Sequence, residues 1–243
     1  MKISILTLFP EMFAPLKESI IGRAVKNGKV EIEYFNIRDY SKDKHRKTDD
    51  APFGGGAGML MTPQPIADCI TAVDPEHKAK RIYMSPKGRR FDQSVVRELS
   101  EKKEDLILLC GHYEGVDQRV IDLFIDDEIS IGDYVLTGGE LPAMVVTDAV
   151  CRYLDGVLNA DSVTYESFSD GKLEYPQYTR PQVFMGLEVP EVLISGDHKK
   201  VDLWREKEAL DLTKRLRPDL VPAEDIKEEN PVKKKNKREN KGE

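Results

Sequence analysis

The chain has 243 residues, 40% of them hydrophobic and 33% charged, with a formal net charge of −7. At about 150 residues per domain, that length gives one large domain, or one with a smaller companion, and enough apolar side chains for a sizeable core. The acidic balance excludes a wholly basic nucleic-acid coat protein but leaves room for an RNA enzyme with a local basic face.

In chain order, residues 2–8 (KISILTL) alternate apolar and polar and predict a strand. Pro10 opens a helix whose apolar stripe is Met12, Phe13, Leu16, Ile20, Ala24 and Val25, with Gly28 as its stop. Residues 30–35 alternate again. Residues 81–84 and 105–110 predict two further strands, the second apolar throughout, as in a strand covered on both faces. Asp92 caps a helix carrying Val95, Val96 and Leu99. A short helix starts near Asp117, and another runs from about Glu140 to Tyr153. Strands separated by helices imply a mostly parallel α/β sheet. Beyond residue 156 the pattern changes. Residues 159–180 are polar without a sustained period and read as a linker or a functional loop. A helical pattern returns at residue 201, with Leu203, Trp204, Leu210, Leu212 and Leu216 apolar. From Pro222 the chain is charged, including Lys233, Lys234, Lys235, Lys237 and Arg238, and predicts a disordered tail.

Other classes fall away. No run of 18 apolar residues predicts a membrane span. The start has one Lys, a short apolar run and then Pro10 and Glu11, unlike a secretory signal. Cys69, Cys110 and Cys151 lie far apart in apolar surroundings, as expected of buried, reduced thiols in a cytoplasmic protein. His45, His77, His112 and His198 do not pair at ligand spacing, and there is no CxxC or HExxH, which argues against structural zinc. Neither GxGxxG nor GxxxxGK[ST] occurs.

What remains is a set of glycine-bearing turns placed after strands: residues 83–89, 110–117 and 130–140. In open parallel sheets ligands sit beyond the carboxyl ends of the strands, and glycines there let backbone N–H and C=O groups approach a ligand such as a purine edge. Each turn alone reads equally as an ordinary tight turn; three together point to a ligand site. A fourth stretch, 48–59, holds Asp50 and Gly55 in a glycine-rich loop after the basic residues Lys42, Lys44, His45, Arg46 and Lys47. It suits a polyanion, or it is a solvated charged loop.

The motifs LFPEMF at 8–13, DDxPxGGGxGM at 49–59, CGxYEGxDxR at 110–119, SIGDYVLTGGELPAM at 130–144, YTRPxV at 178–183 and SGDH at 195–198 occur in order over residues 1–217. In these the chain resembles the bacterial tRNA (guanine-N1)-methyltransferase family, TrmD. The resemblance implies the SPOUT fold: an α/β domain with a mostly parallel sheet and a deep trefoil knot, followed by a small helical C-terminal domain. The division it implies is 1–158 for the methyl-donor domain, 159–175 for a linker ordered on substrate binding, 176–222 for the helical tRNA-binding domain and 223–243 for the tail. It also implies a cytoplasmic homodimer whose active sites are shared between subunits, with no membrane association.

The implied reaction moves a methyl group from S-adenosylmethionine to N1 of guanosine 37 in a tRNA that also has guanosine at position 36. Guanine N1 carries a proton at neutral pH, so a general base must remove it, and a cation must stabilise charge on O6. By the resemblance the base is Glu166, where the commoner pattern has Asp, and the cation is Arg152. Asp161 and Asp170 are rival bases. Tyr83, Met84, Ser85, Pro86, Gly111, Tyr113, Glu114, Gly115, Ile131, Gly132, Tyr134, Leu136, Gly138 and Pro142 are implied to line the donor pocket, and His112 stands where many relatives have Arg. The family uses Mg²⁺, with Glu114 and Glu166 as candidate contacts. His45, Arg46, Asp50, Gly55, Arg180, Lys199 and Arg205, with Lys200, Lys214 and Arg215, are candidates for tRNA contact, and binding through the cations would be salt-dependent. Trp204 is expected to pack the small domain rather than stack on a base. Two rival readings are a SPOUT enzyme acting on a ribose or another base, and a noncatalytic RNA-binding factor of the same fold.

Overall fold

A computed structural model describes residues 1–159 and 166–222. These form two compact units, one within Met1–Val163 and the other within Thr164–Glu243. Asp161 and the tail 223–243 lie outside the described residues.

The first unit is built on a five-stranded sheet of β1 (Lys2–Thr7), β2 (Glu31–Asn36), β5 (Lys80–Arg90), β6 (Leu106–Cys110) and β7 (Asp127–Ser130), in the order β2-β1-β6-β5-β7. Every pairing in it is parallel, as the strand and helix alternation predicts. Side chains alternate between two cores. Ile3, Ile5, Ile82, Leu106 and Leu108 face one; Leu6, Tyr83, Ile107 and Leu109 face the other. That period of two, together with cover on both faces, is why β6 is apolar throughout. The first core is closed by α1 (Ser19–Lys26), α3 (Gln93–Glu101) and α5 (Glu140–Cys151) through Ile21, Val95, Leu99, Val146 and Val150. The second is closed by α2 (Pro63–Val73) and α4 (Gln118–Phe124) through Ile66, Ile70 and Val120. Each fully buried Leu or Ile contributes about 1.5–3 kcal/mol of transfer free energy.

Local signals explain most boundaries. Asp92 Oδ1 accepts from the Ser94 and Val95 N–H groups at 2.9 and 3.2 Å, capping α3. Asp117 caps α4 through the Arg119 N–H. Three expectations need correction. The single helix from Pro10 to Gly28 is two pieces, a 3₁₀ helix at Pro10–Lys17 and α1. Pro15 has no N–H to donate, Glu18 is extended and Ser19 turns to φ 52°, so Met12 and Val25 end up exposed. Residues 85–89 do not leave the sheet as a turn. They continue β5 through a register irregularity between Met84 and Arg89, made possible because a Cβ at Gly88 would lie 2.3 Å from the Glu128 carbonyl carbon. Helix α2 was not among the predicted elements, although Ile66, Cys69 and Ile70 carry helical spacing.

The glycine-rich loop joins β3 (Asp49–Asp50) to β4 (Leu60–Met61) in an antiparallel hairpin. In the second unit β8 (Val183–Phe184) and β9 (Leu187–Glu188) form another hairpin, followed by α6 (Glu191–Ile194) and α7 (His198–Leu216). Helix α7 starts before residue 201 because Asp197 caps it, accepting from the Lys200 N–H. Its expected apolar face is not buried: Leu203 and Leu216 are exposed, and Thr213 is the buried residue of this helix. Trp204 is half-buried, its ring 6.4 Å from that of Tyr175 and 6.3 Å from that of Tyr178.

Candidate functional site

The carboxyl ends of β5, β6 and β7 open onto a cavity of about 430 Å³, within the roughly 300–1,000 Å³ common for small-molecule sites. Three chain segments wall it: 83–87 from β5, 111–118 after β6, and 128–142 after β7, with Leu60 of β4 at one side. Every residue named above for the donor pocket lies on this wall, as does His112. Sequence reasoning missed Leu60, Gln118 and Glu128, which also line it, and gave no separate role to Lys87 and Val135 inside the glycine-bearing turns. Glu128 was legible only as a neighbour of the turn at 130–140.

Close approach explains the glycines. A Cβ at Gly111 would lie 2.7 Å from the Tyr83 hydroxyl, and one at Gly139 would lie 2.8 Å from Cys110 Cα. Gly139 N–H donates to the Gly111 carbonyl at 2.8 Å, and Gly138 pairs with His112 in an antiparallel bridge. The chain after the edge strand β7 therefore comes back across the sheet to meet the end of β6, and α5 packs against β6 and β1. Tyr83 is buried, which pushes its hydroxyl up to about 12 against a hydrogen bond from the Val116 backbone. Cys110 is buried as well, and burial together with the charge of Glu140 raises its thiol well above the usual range. Burial likewise pushes Cys69 and Cys151 up to about 12. All three thiols are free and buried, as expected from sequence, and none is an activated nucleophile.

The glycine-rich loop ends against the cavity wall. Glu114 N–H donates to the Met59 carbonyl at 3.0 Å, Met61 N–H donates to the Gly115 carbonyl at 2.9 Å, and a Cβ at Gly58 would meet the Glu114 carboxylate. Gly54, Gly55, Gly56 and Gly58 all have positive φ, and Phe53 beside them is fully exposed. Asp50 is held below its usual range by the Ala51 N–H and by Lys47. Of the basic residues preceding the loop, Arg46 is ion-paired with Asp39, and His45 is exposed.

Arg152 is half-buried at the C-cap of α5. Glu166 is half-buried in the second unit, where it lines a second cavity of about 550 Å³ with Asp170, Lys172, Tyr175 and Arg205. The two candidate catalytic residues thus sit in different units. The segment bearing Glu166 closes on itself through Phe168 N–H donating to the Lys172 carbonyl at 2.6 Å, and is tied to α7 by Leu173 N–H donating to Thr213 Oγ1 at 2.9 Å. Arg205 lies 5.1 Å over the Tyr175 ring and pairs with Asp202. Arg180 and Lys199 are exposed.

The family model for tRNA (guanine-1)-methyltransferase TrmD matches residues 1–223. The chain belongs to this family. It is 58% identical to a tRNA (guanine-N(1)-)-methyltransferase of Geobacter sulfurreducens over 224 residues, 91% of each chain. It is 56% identical to one of Clostridioides difficile over 225 residues, 90% of this chain and 97% of the relative. Family membership makes the expected mostly parallel α/β architecture and the observed sheet one consistent finding. No helix among the described residues is long and apolar enough to cross a membrane.

Proposed function

We propose that this protein transfers the methyl group of S-adenosylmethionine to N1 of guanosine 37 in tRNA, next to a guanosine at position 36. The observation that carries the reading is the cavity at the ends of β5, β6 and β7. It is walled by backbone-rich glycine turns at the positions the family resemblance assigns to donor binding. Its size suits an adenosyl group, and the glycine-bearing turns of its wall let backbone come close to a purine edge. When bound, the donor supplies a methyl group already activated on a sulfonium sulfur, so no nucleophile on the chain is required. Glu166 takes the N1 proton as general base, which leaves the N1 lone pair as the nucleophile. Arg152 stabilises the negative charge that develops on O6.

The family relationship and the return of the chain from β7 to β6 support a knotted donor domain of the SPOUT type. The second unit is then the small helical tRNA-binding domain, with Arg180, Lys199, Arg205 and the loop residues His45, Arg46, Asp50 and Gly55 meeting RNA. Placing Glu166 and Arg152 on separate units fits an active site completed by assembly in a cytoplasmic homodimer. The outward apolar residues Leu141 and Val145 on α5, with Val135 at the cavity mouth, give that dimer a surface. Among the described residues no three His, Cys, Asp or Glu side chains form a ligand set. Mg²⁺ is held typically by one or two carboxylates with waters and substrate oxygens. Glu114 is a cavity-wall carboxylate of that description, and no step here runs through the metal.

The test is methyl transfer from labelled donor to an unmodified tRNA with guanosines at 36 and 37, beside a control with adenosine at 37. Label on N1 of guanosine 37 that disappears in the control is the expected result. Label on a ribose, or on another base, would replace this reading by the nearest rival, and donor-independent RNA binding without transfer would replace it by the other.

A further inference from the structure

The motif at residues 8–13 is not explained by the reaction, and neither is one buried acid. Glu140, in the first turn of α5, is 2% exposed. It does not line the cavity. Its Oε1 accepts a hydrogen bond of 2.8 Å from the hydroxyl of Thr7, which is wholly buried at the end of β1. Thr7 Oγ1 in turn accepts from the Phe9 N–H at 2.9 Å. The Phe9 ring stands edge-on to the His112 ring with centroids 4.9 Å apart. His112 Nδ1 lies 2.6 Å from the Thr137 carbonyl; a carbonyl only accepts, so this nitrogen carries the proton. Glu140 Oε2 and His112 Nδ1 meet at Gly138, where a Cβ would lie 2.3 Å from the first and 3.1 Å from the second. The turn 137–139, part of the cavity wall, is therefore held against both His112 and Glu140, and both are tied to the end of β1 and the segment after it.

We infer that Thr7 and Glu140 form a positioning clamp for the donor pocket, with Phe9 and His112 as its second jaw. The inference rests on the reading of the cavity as the donor site. Neither Thr7 nor Glu140 touches the cavity; they act through the turn. A buried carboxylate needs partners, and here it has one hydroxyl and the N-terminal end of α5, whose first N–H groups have no intrahelical acceptor. This anchors the helix start, and with it Gly138 and Gly139, to the end of β1, the neighbour of β6 in the sheet. The N-terminal motif then has a role: it carries the chain on from β1 so that Phe9 meets His112.

The experiment measures the Kd of S-adenosylhomocysteine, the demethylated donor, by calorimetry on the full chain, with the KM for tRNA and the melting temperature alongside. Thr7→Val weakens binding about tenfold, the equivalent of one hydrogen bond to a charged group, and Glu140→Gln, whose amide oxygen still accepts from Thr7, weakens it less, while the KM for tRNA stays unchanged. Thr7→Ser, which keeps the hydroxyl, restores the wild-type Kd. The double variant loses no more than the worse single one, because the two residues make one contact. If Glu140→Gln does not fold, the Thr7→Val and Thr7→Ser pair decides alone. Folded variants with a lower melting temperature and an unchanged Kd would overturn the clamp and leave the donor site standing. A wild-type chain that binds no S-adenosylhomocysteine would overturn the donor-site reading and the clamp with it.

Discussion

Gly139→Ala tests the pocket's construction more directly than any change of a polar residue. The backbone there, at φ −83° and ψ −2°, accepts alanine without strain. The obstacle is space, because the new Cβ would lie 2.8 Å from Cys110 Cα, 3.0 Å from Gly111 N and 3.2 Å from Cys110 Cβ. Two of these are backbone atoms of β6 and its exit turn, so no rotamer relieves the contact. The start of α5 must move by about 1 Å to restore ordinary van der Waals separation. Overpacking of this kind costs about 1–3 kcal/mol, and at about 2 kcal/mol a unit of this size loses roughly 4–8 °C in melting temperature. The same displacement breaks the 2.8 Å bond from Gly139 N–H to the Gly111 carbonyl and shifts the cavity wall. A 1 Å misplacement of positioning groups costs on the order of 100-fold in turnover. The assay is donor Kd and kcat on the folded variant. Gly28→Ala serves as the control: φ is +67° and nothing lies within 4 Å of its Cβ, so it costs about 1 kcal/mol of backbone strain and leaves donor binding alone. Wild-type donor binding in Gly139→Ala would refute the claim that this glycine sets the wall.

Glu166→Gln keeps donor Kd and lowers methyl transfer by about 10²–10⁴-fold, since an amide cannot accept the N1 proton; near-normal turnover would move the base to Asp170. Mixing Glu166→Gln with Arg152→Ala subunits restores one active site per heterodimer if the two residues act from different subunits, and activity that stays at the single-variant level after verified exchange rejects that arrangement. Asp74 and Arg81 form a buried pair with bonds of 2.9 and 3.1 Å. Asp74→Ala leaves the guanidinium without its countercharge, with only the residue 74 backbone carbonyl still accepting from it at 2.7 Å, and costs about 3 kcal/mol in urea unfolding, whereas a loss below 1 kcal/mol would show that the site rehydrates freely. Arg89 and Lys102 hold the Glu98 carboxyl down from its ordinary 4.5 to about 2. A depressed folded pKa stabilises above the unfolded value and is lost as pH falls through the folded one. Stability therefore drops by about 1 kcal/mol between pH 4.5 and 2 after allowance for a third-exposed group, and Glu98→Gln removes that part of the pH dependence.

The first unit was legible because its signals are local and agree with one another. The apolar run at 106–110, the caps at Asp92 and Asp117, and the strand-end glycines each imply the same parallel sheet. Where the reading failed, a nonlocal fact decided. Residues 85–89 look like a turn, yet they stay in β5 because the Glu128 backbone is close enough to admit only glycine at 88. The break at Glu18–Ser19 follows from backbone angles that Pro15 hints at without locating. That the three glycine-bearing turns share one site was legible from their place at strand ends, whereas the individual lining residues came through motif resemblance, since spacing along the chain does not say which side chains face a cavity. The link from Thr7 to Glu140, 133 residues apart, had no sequence signal beyond the presence of an acid at the start of a largely apolar helix.

The second unit poses the opposite problem, because its sequence promised a buried face that α7 does not have. A helix of 19 residues that buries Thr213 alone gains little from packing. Its tertiary ties are the Leu173–Thr213 bond, the Arg205–Tyr175 contact and the Trp204 ring contacts. In the same unit Phe184, Met185, Leu187, Ile194, Leu203 and Leu216 are all more than half exposed. The segment carrying Glu166 is fastened to this same unit, so a partner that covered these side chains would also bear on where Glu166 stands. In the function proposed above, assembly on a second subunit and on tRNA is then a condition for catalysis, which accounts for an acid in a polar, aperiodic stretch giving so little sign of its task in the isolated sequence.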